Sequence, residues 1–129
     1  MNNHIIGDFK KREYLYKRFK PRSFVDKEVI ESIYSGWEYN LPKPKSDKDI
    51  VVDIGCHIGV FTNYCYDNGY RVFYSYEANR DNYECFLKNT HNLKDADIVS
   101  ENKAVFRSDK KIKTITINKV TYYWSCQKN

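Results

Sequence analysis

The chain has 129 residues, of which 22 are Lys or Arg and 17 are Asp or Glu, and 41% of it is hydrophobic. This length suits one domain whose core can form without disulfides. No apolar run is long enough to span a membrane, and the first residues lack a secretory signal pattern. The sequence therefore predicts a cytoplasmic protein without a membrane span.

The net charge of +5 is modest, so charge alone does not predict a nucleic-acid partner, although it does not exclude one. The cysteines have no C-x-x-C spacing and no spacing typical of zinc or iron–sulfur sites. We expect reduced thiols that serve as small core residues, and no metal site. They are Cys56, Cys65, Cys85 and Cys126.

The first 22 residues are basic and aromatic, and four side chains have helical spacing up to Pro21: Phe9, Arg12, Tyr16 and Phe19. One interpretation is an arm that contacts RNA or a membrane surface with its cations and aromatic rings. The other, which we favour, is a leader whose aromatic side chains dock on the domain.

A second helix is predicted after Ser23, because Ser23 and Asp26 form an S-x-x-D start signal. Its apolar positions are Val25, Val29, Ile30, Ile33 and Tyr34, and Gly36 suits its end. The segment 40–49 holds two prolines without apolar periodicity, which indicates a linker. Residues 1–48 are thus predicted to form a basic leader with a helix and a linker, and residues 49–129 the domain.

From residue 50 the pattern alternates between short strands and helices. Ile50–Ile54 is a nearly all-apolar strand of the kind that is buried on both faces of a parallel sheet. A glycine turn, a helix near 60–67, a strand at 71–76, a helix capped by Asn79 and a strand near 98–106 follow. One face of the second of these helices carries Tyr83, Phe86, Leu87 and Thr90.

This order predicts an α/β fold with a Rossmann-like parallel sheet and right-handed crossovers. After it, Ile112, Ile115 and Ile117 alternate with polar residues, which indicates an exposed strand or hairpin with 120–124 as its partner.

The glycine turn between Asp53 and Thr62 is the segment that carries chemistry, because it lies where open parallel sheets bind ligands. The dinucleotide fingerprint requires glycines where this chain has His57 and Val60, and the phosphate-loop pattern is absent too. The remaining D-x-G-x-x-x-G pattern, with an acidic Glu77 after the next strand, suits a ligand with a cationic amino-acid end, a ribose and no phosphate. S-adenosylmethionine is such a ligand. Asp53 would hold the loop or the ligand's ammonium group, and Gly55 would leave room for the ligand.

Four phrases in order resemble FkbM-like S-adenosylmethionine-dependent methyltransferases: D-I-G-C-H-I-G-V-F-T at 53–62, E-A-N at 77–79, N-Y and L-K-N at 82–89, and N-K-A-V at 102–105. By this resemblance the loop cradles the methionine part, Glu77 grips the ribose, and Ala78 with the 102–104 stretch lines the adenine pocket. The residues expected to bind the cofactor are Asp53, Gly55, Cys56, His57, Gly59, Glu77, Ala78, Asn102 and Ala104.

Two of these positions depart from the family pattern, since His57 stands for the usual Asn and Ala78 for the usual Pro. We expect His57 to line the loop through hydrogen bonds rather than to act as a catalytic base. No catalytic residue can be named.

The family continues into a fourth strand with a K-x-D-x-E-G-like phrase, which residues 111–129 do not match. We therefore expect a class I methyltransferase fold truncated after its third parallel strand. Three explanations would account for the missing strands: the chain is a remnant, it is a fragment of a longer enzyme, or a second chain completes it.

The predicted function is methyl transfer to oxygen of a small molecule or sugar, with the activity of this chain left open. The alternative is a non-catalytic module that binds a partner, or RNA through the leader.

Overall fold

A computed structural model describes residues 9–36 and 38–106, together with the backbone of two strands further along the chain. Within these residues the elements, in chain order, are α1 (Phe9–Phe19), α2 (Phe24–Tyr34), β1 (Ile50–Ile54), α3 (Val60–Asp67), β2 (Val72–Tyr76), α4 (Arg80–Thr90), β3 (Asp97–Glu101), β4 (Thr114–Ile117) and β5 (Val120–Tyr123). No helix in the described part of the chain has the length and apolar character needed to cross a membrane.

The first three strands form a parallel sheet in the order β1-β2-β3. Val52 lies beside Tyr74 and Tyr74 beside Val99, so each strand is in register with the next. Because the strands advance in one direction and parallel crossovers are right-handed, α3 and α4 lie on the same face of the sheet. The α/β class predicted from the sequence is confirmed, and the sheet is compatible with part of a Rossmann-like fold.

The face of the sheet that α3 and α4 cover holds a small apolar core. Phe73 and Cys65 are fully buried there, with Val51 and Ile98 packed against them. The opposite face carries exposed apolar side chains: Ile50, Val52, Ile54, Tyr74 and Val99. The side chain of Val52 is 60% exposed, so the expectation that β1 is buried on both faces is wrong. Both described crossover helices lie on the other side of the sheet, which leaves this face open to solvent.

Helices α1 and α2 pack onto the domain through a second core. Its buried members are Leu15, Phe19, Ile30, Ile33, Ile58 and Val60. Docking of the leader is thus seen at Phe19, which is 2% exposed, but not at Phe9, which is 71% exposed. A boundary between residues 48 and 49 stays a prediction, although this core crosses it.

The helix starts follow the predicted caps. The Ser23 side chain accepts a hydrogen bond from the Asp26 backbone N–H, and Asn79 accepts one from Asn82 in the same way. These two predictions are confirmed. The end of β3 differs from the prediction: the strand ends at Glu101 and not near residue 106. Its neighbour β2 ends at Tyr76, the register partner of Glu101, so the chain beyond has no strand to pair with.

Strands β4 and β5 pair antiparallel, with Ile115 opposite Tyr122. This confirms the predicted hairpin, while Ile112 and Trp124 lie outside the described residues. The segment 40–49 has no helix or strand, as expected of a linker. It is nevertheless held to the domain, because the Tyr70 hydroxyl donates to the Pro42 carbonyl at 2.7 Å.

Candidate functional site

The predicted site lies at the edge where β1 and β2 end. After Ile54 the chain turns over the last residue of β2, and the backbone N–H groups of Gly55 and Cys56 both donate to the Tyr76 carbonyl, at 2.8 and 3.0 Å. The loop from Gly55 to Gly59, called the glycine loop below, therefore stays attached to the sheet edge. The structure brings this loop and Glu77 together, as the sequence predicts.

The two glycines of the loop have different surroundings. Both have positive φ, +80° at Gly55 and +91° at Gly59, where side chains are strained. A Cβ on Gly59 would lie 3.2 Å from atoms of both Phe86 and Thr90, so Gly59 permits close packing of α4. A Cβ on Gly55 would meet no atom of the described residues within 4 Å. Gly55 therefore borders open space at the sheet edge, and Gly59 does not.

The Glu77 carboxylate organises the glycine loop. One oxygen accepts the backbone N–H of His57 and the other accepts that of Asn79, each at 2.9 Å. Glu77 is 8% exposed. Each oxygen can accept a further hydrogen bond, because a carboxylate has about four lone-pair positions. Glu77 thus holds the loop, whatever else it binds.

Asp53 is buried below the loop, with 8% exposure. Burial raises the pKa of Asp53 to about 6; a hydrogen bond from the Thr62 hydroxyl, at 3.3 Å, opposes the shift and the nearby Glu77 charge adds to it. The neighbouring Ser75 is fully buried, and its hydroxyl has no hydrogen-bond partner among the described residues. Asp53 and Ser75 are register partners on β1 and β2, which places two polar groups side by side under the loop.

The Cys56 side chain is 2% exposed. Burial, followed by the charges of Asp53 and Glu77, raises the pKa of the Cys56 thiol above its usual range. Burial likewise raises the pKa of Cys65 to about 12, with a further contribution from Asp53. Both thiols are therefore neutral at pH 7, in keeping with their use as small core residues. Cys126 lies outside the described residues.

The His57 side chain does not face the open space beside Gly55. Its φ of +52° lies in the left-handed region, and its Nε2 atom lies 3.4 Å from a carboxylate oxygen of Asp26 on α2. Burial lowers the pKa of His57 below its ordinary value, although the Asp26 charge opposes the shift. The imidazole thus connects the loop to α2.

Asn102 connects the end of β3 to the end of β2. Its side-chain amide donates to the carbonyls of Glu77 and Ala78, at 2.8 and 3.2 Å. Ala78 and Ala104 are both half-buried. The structure therefore brings Asn102 and Ala78 together at the sheet edge, two residues that the family resemblance assigns to an adenine pocket.

Sequence reasoning missed part of the polar surroundings of the loop. Asp26 was assigned only to a helix start, yet its side chain is 2% exposed and contacts His57. The phrase at 53–62 includes Thr62 without a role for it, and Ser75 is only part of a predicted strand. Only Arg22, four residues before Asp26, hinted at an ion pair, and that spacing is common on helix surfaces.

Within the described residues, no three His, Cys, Asp or Glu side chains are grouped as the ligands of a metal ion would be. No protein-family model matches the chain, and no curated protein matches it at a significant level. The family resemblance and the residues assigned through it therefore stay predictions.

Proposed function

We propose that the chain binds S-adenosylmethionine at the edge of β1 and β2, as the cofactor-binding part of a class I methyltransferase fold. The observation that carries the proposal is the open space beside Gly55. A Cβ there would meet nothing within 4 Å, although the residues on either side are tied to the sheet. Space at a positive-φ glycine where parallel strands end is typical of a ligand that approaches the backbone.

The charge of the edge favours a ligand without phosphate. Asp53 and Glu77 are both acidic and buried beside the loop. Two carboxylates would repel a pyrophosphate, while they tolerate the sulfonium and ammonium charges of S-adenosylmethionine. The residues present therefore fit this ligand better than a dinucleotide.

The two acidic residues would contribute in different ways. The Glu77 oxygens, already fixed by two backbone N–H groups, each keep a position that could accept a ribose hydroxyl. Asp53 shares the loop's underside with Thr62 and supports the turn. Asn102 would close the adenine side by holding the end of β3 against Ala78.

When bound, S-adenosylmethionine supplies a methyl group activated by a sulfonium. The residues at the sheet edge would position the ligand and shield it. Positioning of the reactants supplies much of the rate of such a transfer. We assign no general base, because His57 faces Asp26. The proposed acceptor is oxygen of a small molecule or sugar.

Calorimetric titration of the full chain tests this function. We expect binding of S-adenosylmethionine with Kd on the order of 1–100 µM. Gly55→Ala should abolish it, because the methyl enters the open space. Gly36→Ala is the matched control: its φ is +76°, and the added Cβ would meet only the Tyr64 hydroxyl, at 3.6 Å.

Three outcomes would contradict the proposal. The first is no binding by the wild type at millimolar ligand. The second is equal loss in the two glycine variants, which would indicate backbone strain alone. The third is tighter binding of NADH or ATP than of S-adenosylmethionine.

The alternative, RNA binding through the leader, has less support. The leader's arginines have internal partners: Arg12 with Glu31, Arg18 with Asp67 and Arg22 with Asp26. A shallow groove on α1 is lined by Phe9, Arg12, Glu13, Tyr16 and Lys17 and lies outside the glycine loop. Salt-sensitive RNA binding that disappears when residues 1–22 are deleted would favour this alternative.

A further inference from the structure

Asp26 is a buried carboxylate on α2, and several groups surround it. Its oxygens accept hydrogen bonds from the Arg22 backbone N–H and Nε, both at 2.9 Å, and from an Arg22 terminal nitrogen at 3.2 Å. Burial by itself raises the pKa of Asp26, but these bonds and the positive charge of Arg22, with a further contribution from His57, leave it below its ordinary value. Asp26 is therefore an anion at neutral pH, and the remaining contact of this anion is His57 Nε2.

His57 is held from two sides. Its backbone N–H donates to Glu77 at the end of β2, while its imidazole lies 3.4 Å from Asp26, on the far side of the loop. One residue at the centre of the glycine loop thus connects two carboxylates that come from different layers of the fold. A left-handed φ at a non-glycine residue costs on the order of 1 kcal/mol and persists only where the surroundings enforce it.

Helix α4 completes the arrangement. Arg22 reaches it through a 2.6 Å hydrogen bond from its guanidinium to the Asn82 side chain. From the same helix, the Asn89 side chain donates to the Ile58 carbonyl at 2.8 Å. Side chains of both α2 and α4 therefore contact the loop, Asp26 at His57 and Asn89 at Ile58.

We infer that Asp26 is a positioning residue, which fixes the glycine loop through His57 and so makes α2 part of the ligand-binding unit. Its effect on S-adenosylmethionine rests on the proposed function. Its effect on the loop itself does not depend on any ligand. Helix α2 would then be a structural component of the site.

The test compares loop exchange and ligand affinity in the full chain. His57→Asn removes the imidazole with little backbone cost, because Asn tolerates left-handed φ well, and it leaves the Asp26–Arg22 pair intact. Asp26→Asn removes the charge. Asp67→Asn is the control, since Asp67 receives two hydrogen bonds from Arg18, at 2.7 and 2.9 Å, at the end of α3 opposite to the loop.

We expect amide hydrogen exchange at residues 56–58 to rise about tenfold in His57→Asn and Asp26→Asn, with a similar fall in S-adenosylmethionine affinity. The double variant should raise loop exchange no further than Asp26→Asn alone, because Asp26→Asn already removes the His57–Asp26 contact. Asp67→Asn should lose stability without changing exchange at the loop. Loop exchange in His57→Asn equal to that of the wild type, or raised equally in Asp67→Asn, would overturn the inference.

The ring pKa of His57, measured by NMR, provides a readout that a purely structural role would not move. The charged groups around it are Asp26 and Arg22 at the start of α2 and Glu77 at the end of β2. Since Asp26 raises the His57 pKa, Asp26→Asn should lower it further; an unchanged value would contradict the contact. If these variants raise loop exchange but the wild type binds no S-adenosylmethionine, the positioning role is supported and the proposed ligand is rejected.

Discussion

The Glu77 carboxylate accepts the backbone N–H of His57 at 2.9 Å, so the residue proposed to grip a ribose also holds the loop that would surround the ligand. On the proposed function, position 77 would have two roles that a single substitution removes together. A fall in affinity on changing Glu77 would not isolate a ribose contact. This is why the open space at Gly55 is the sharper probe of binding.

Glu77→Gln should destabilise the fold by about 1–3 kcal/mol, because the amide nitrogen would face a backbone N–H and leave a buried donor without an acceptor. Urea unfolding monitored by circular dichroism measures the change. The control is Glu84→Gln, which affects a pair with Arg80 on an exposed helix surface at 3.3 Å. We expect that variant to change stability by less than about 0.5 kcal/mol, and equal losses would contradict the role of Glu77.

Gly59→Ala should destabilise more than Gly36→Ala. Both substitutions force a residue with Cβ into positive φ, which costs about 1–2 kcal/mol. At Gly59 the new methyl also lies 3.2 Å from Phe86 and Thr90, so α4 must shift and we expect roughly 1–3 kcal/mol in addition. Thermal unfolding of the two variants gives the difference, and equal melting temperatures would show that α4 adapts freely.

Asp53→Asn should stabilise the protein at pH 7. The folded-state pKa of about 6 lies above the ordinary value, so the folded chain holds a proton that the unfolded chain releases. The wild type therefore loses stability as the pH rises from about 4 to about 6, by roughly 1–3 kcal/mol, and the neutral Asn does not. The difference between variant and wild type should grow over that range and then level off. Unfolding curves at several pH values measure it, and a difference that falls with rising pH would contradict the buried-carboxylate picture.

The local part of the fold could be predicted from the sequence. The strand at Ile50–Ile54 and the caps at Ser23 and Asn79 depend on neighbouring residues, and the structure has them where the sequence places them. The order of strands and helices likewise follows from periodicity. The bends of the glycine loop at Gly55 and Gly59 belong to this group.

The features that the sequence did not predict depend on contacts between different elements of the fold. The exposure of Val52 depends on which face the crossover helices cover, and the stop of β3 at Glu101 depends on where β2 ends. The burial of Asp26 depends on an arginine and a histidine that the fold brings to it, 31 positions apart in the case of His57. Similarly, Leu15 and not Phe9 is buried in the core, because packing of α1 against α2 and α3 determines which face of α1 is covered.

The open face of the sheet has a practical consequence for how folding of this protein is monitored. Hydrophobic dyes such as ANS are commonly used to detect loosely packed states, since those states expose apolar surface. Here Ile50, Val52 and Ile54 are 59–62% exposed in the folded chain. We expect dye fluorescence from the native state itself, so a bright signal would not indicate a molten globule unless near-UV circular dichroism were lost as well.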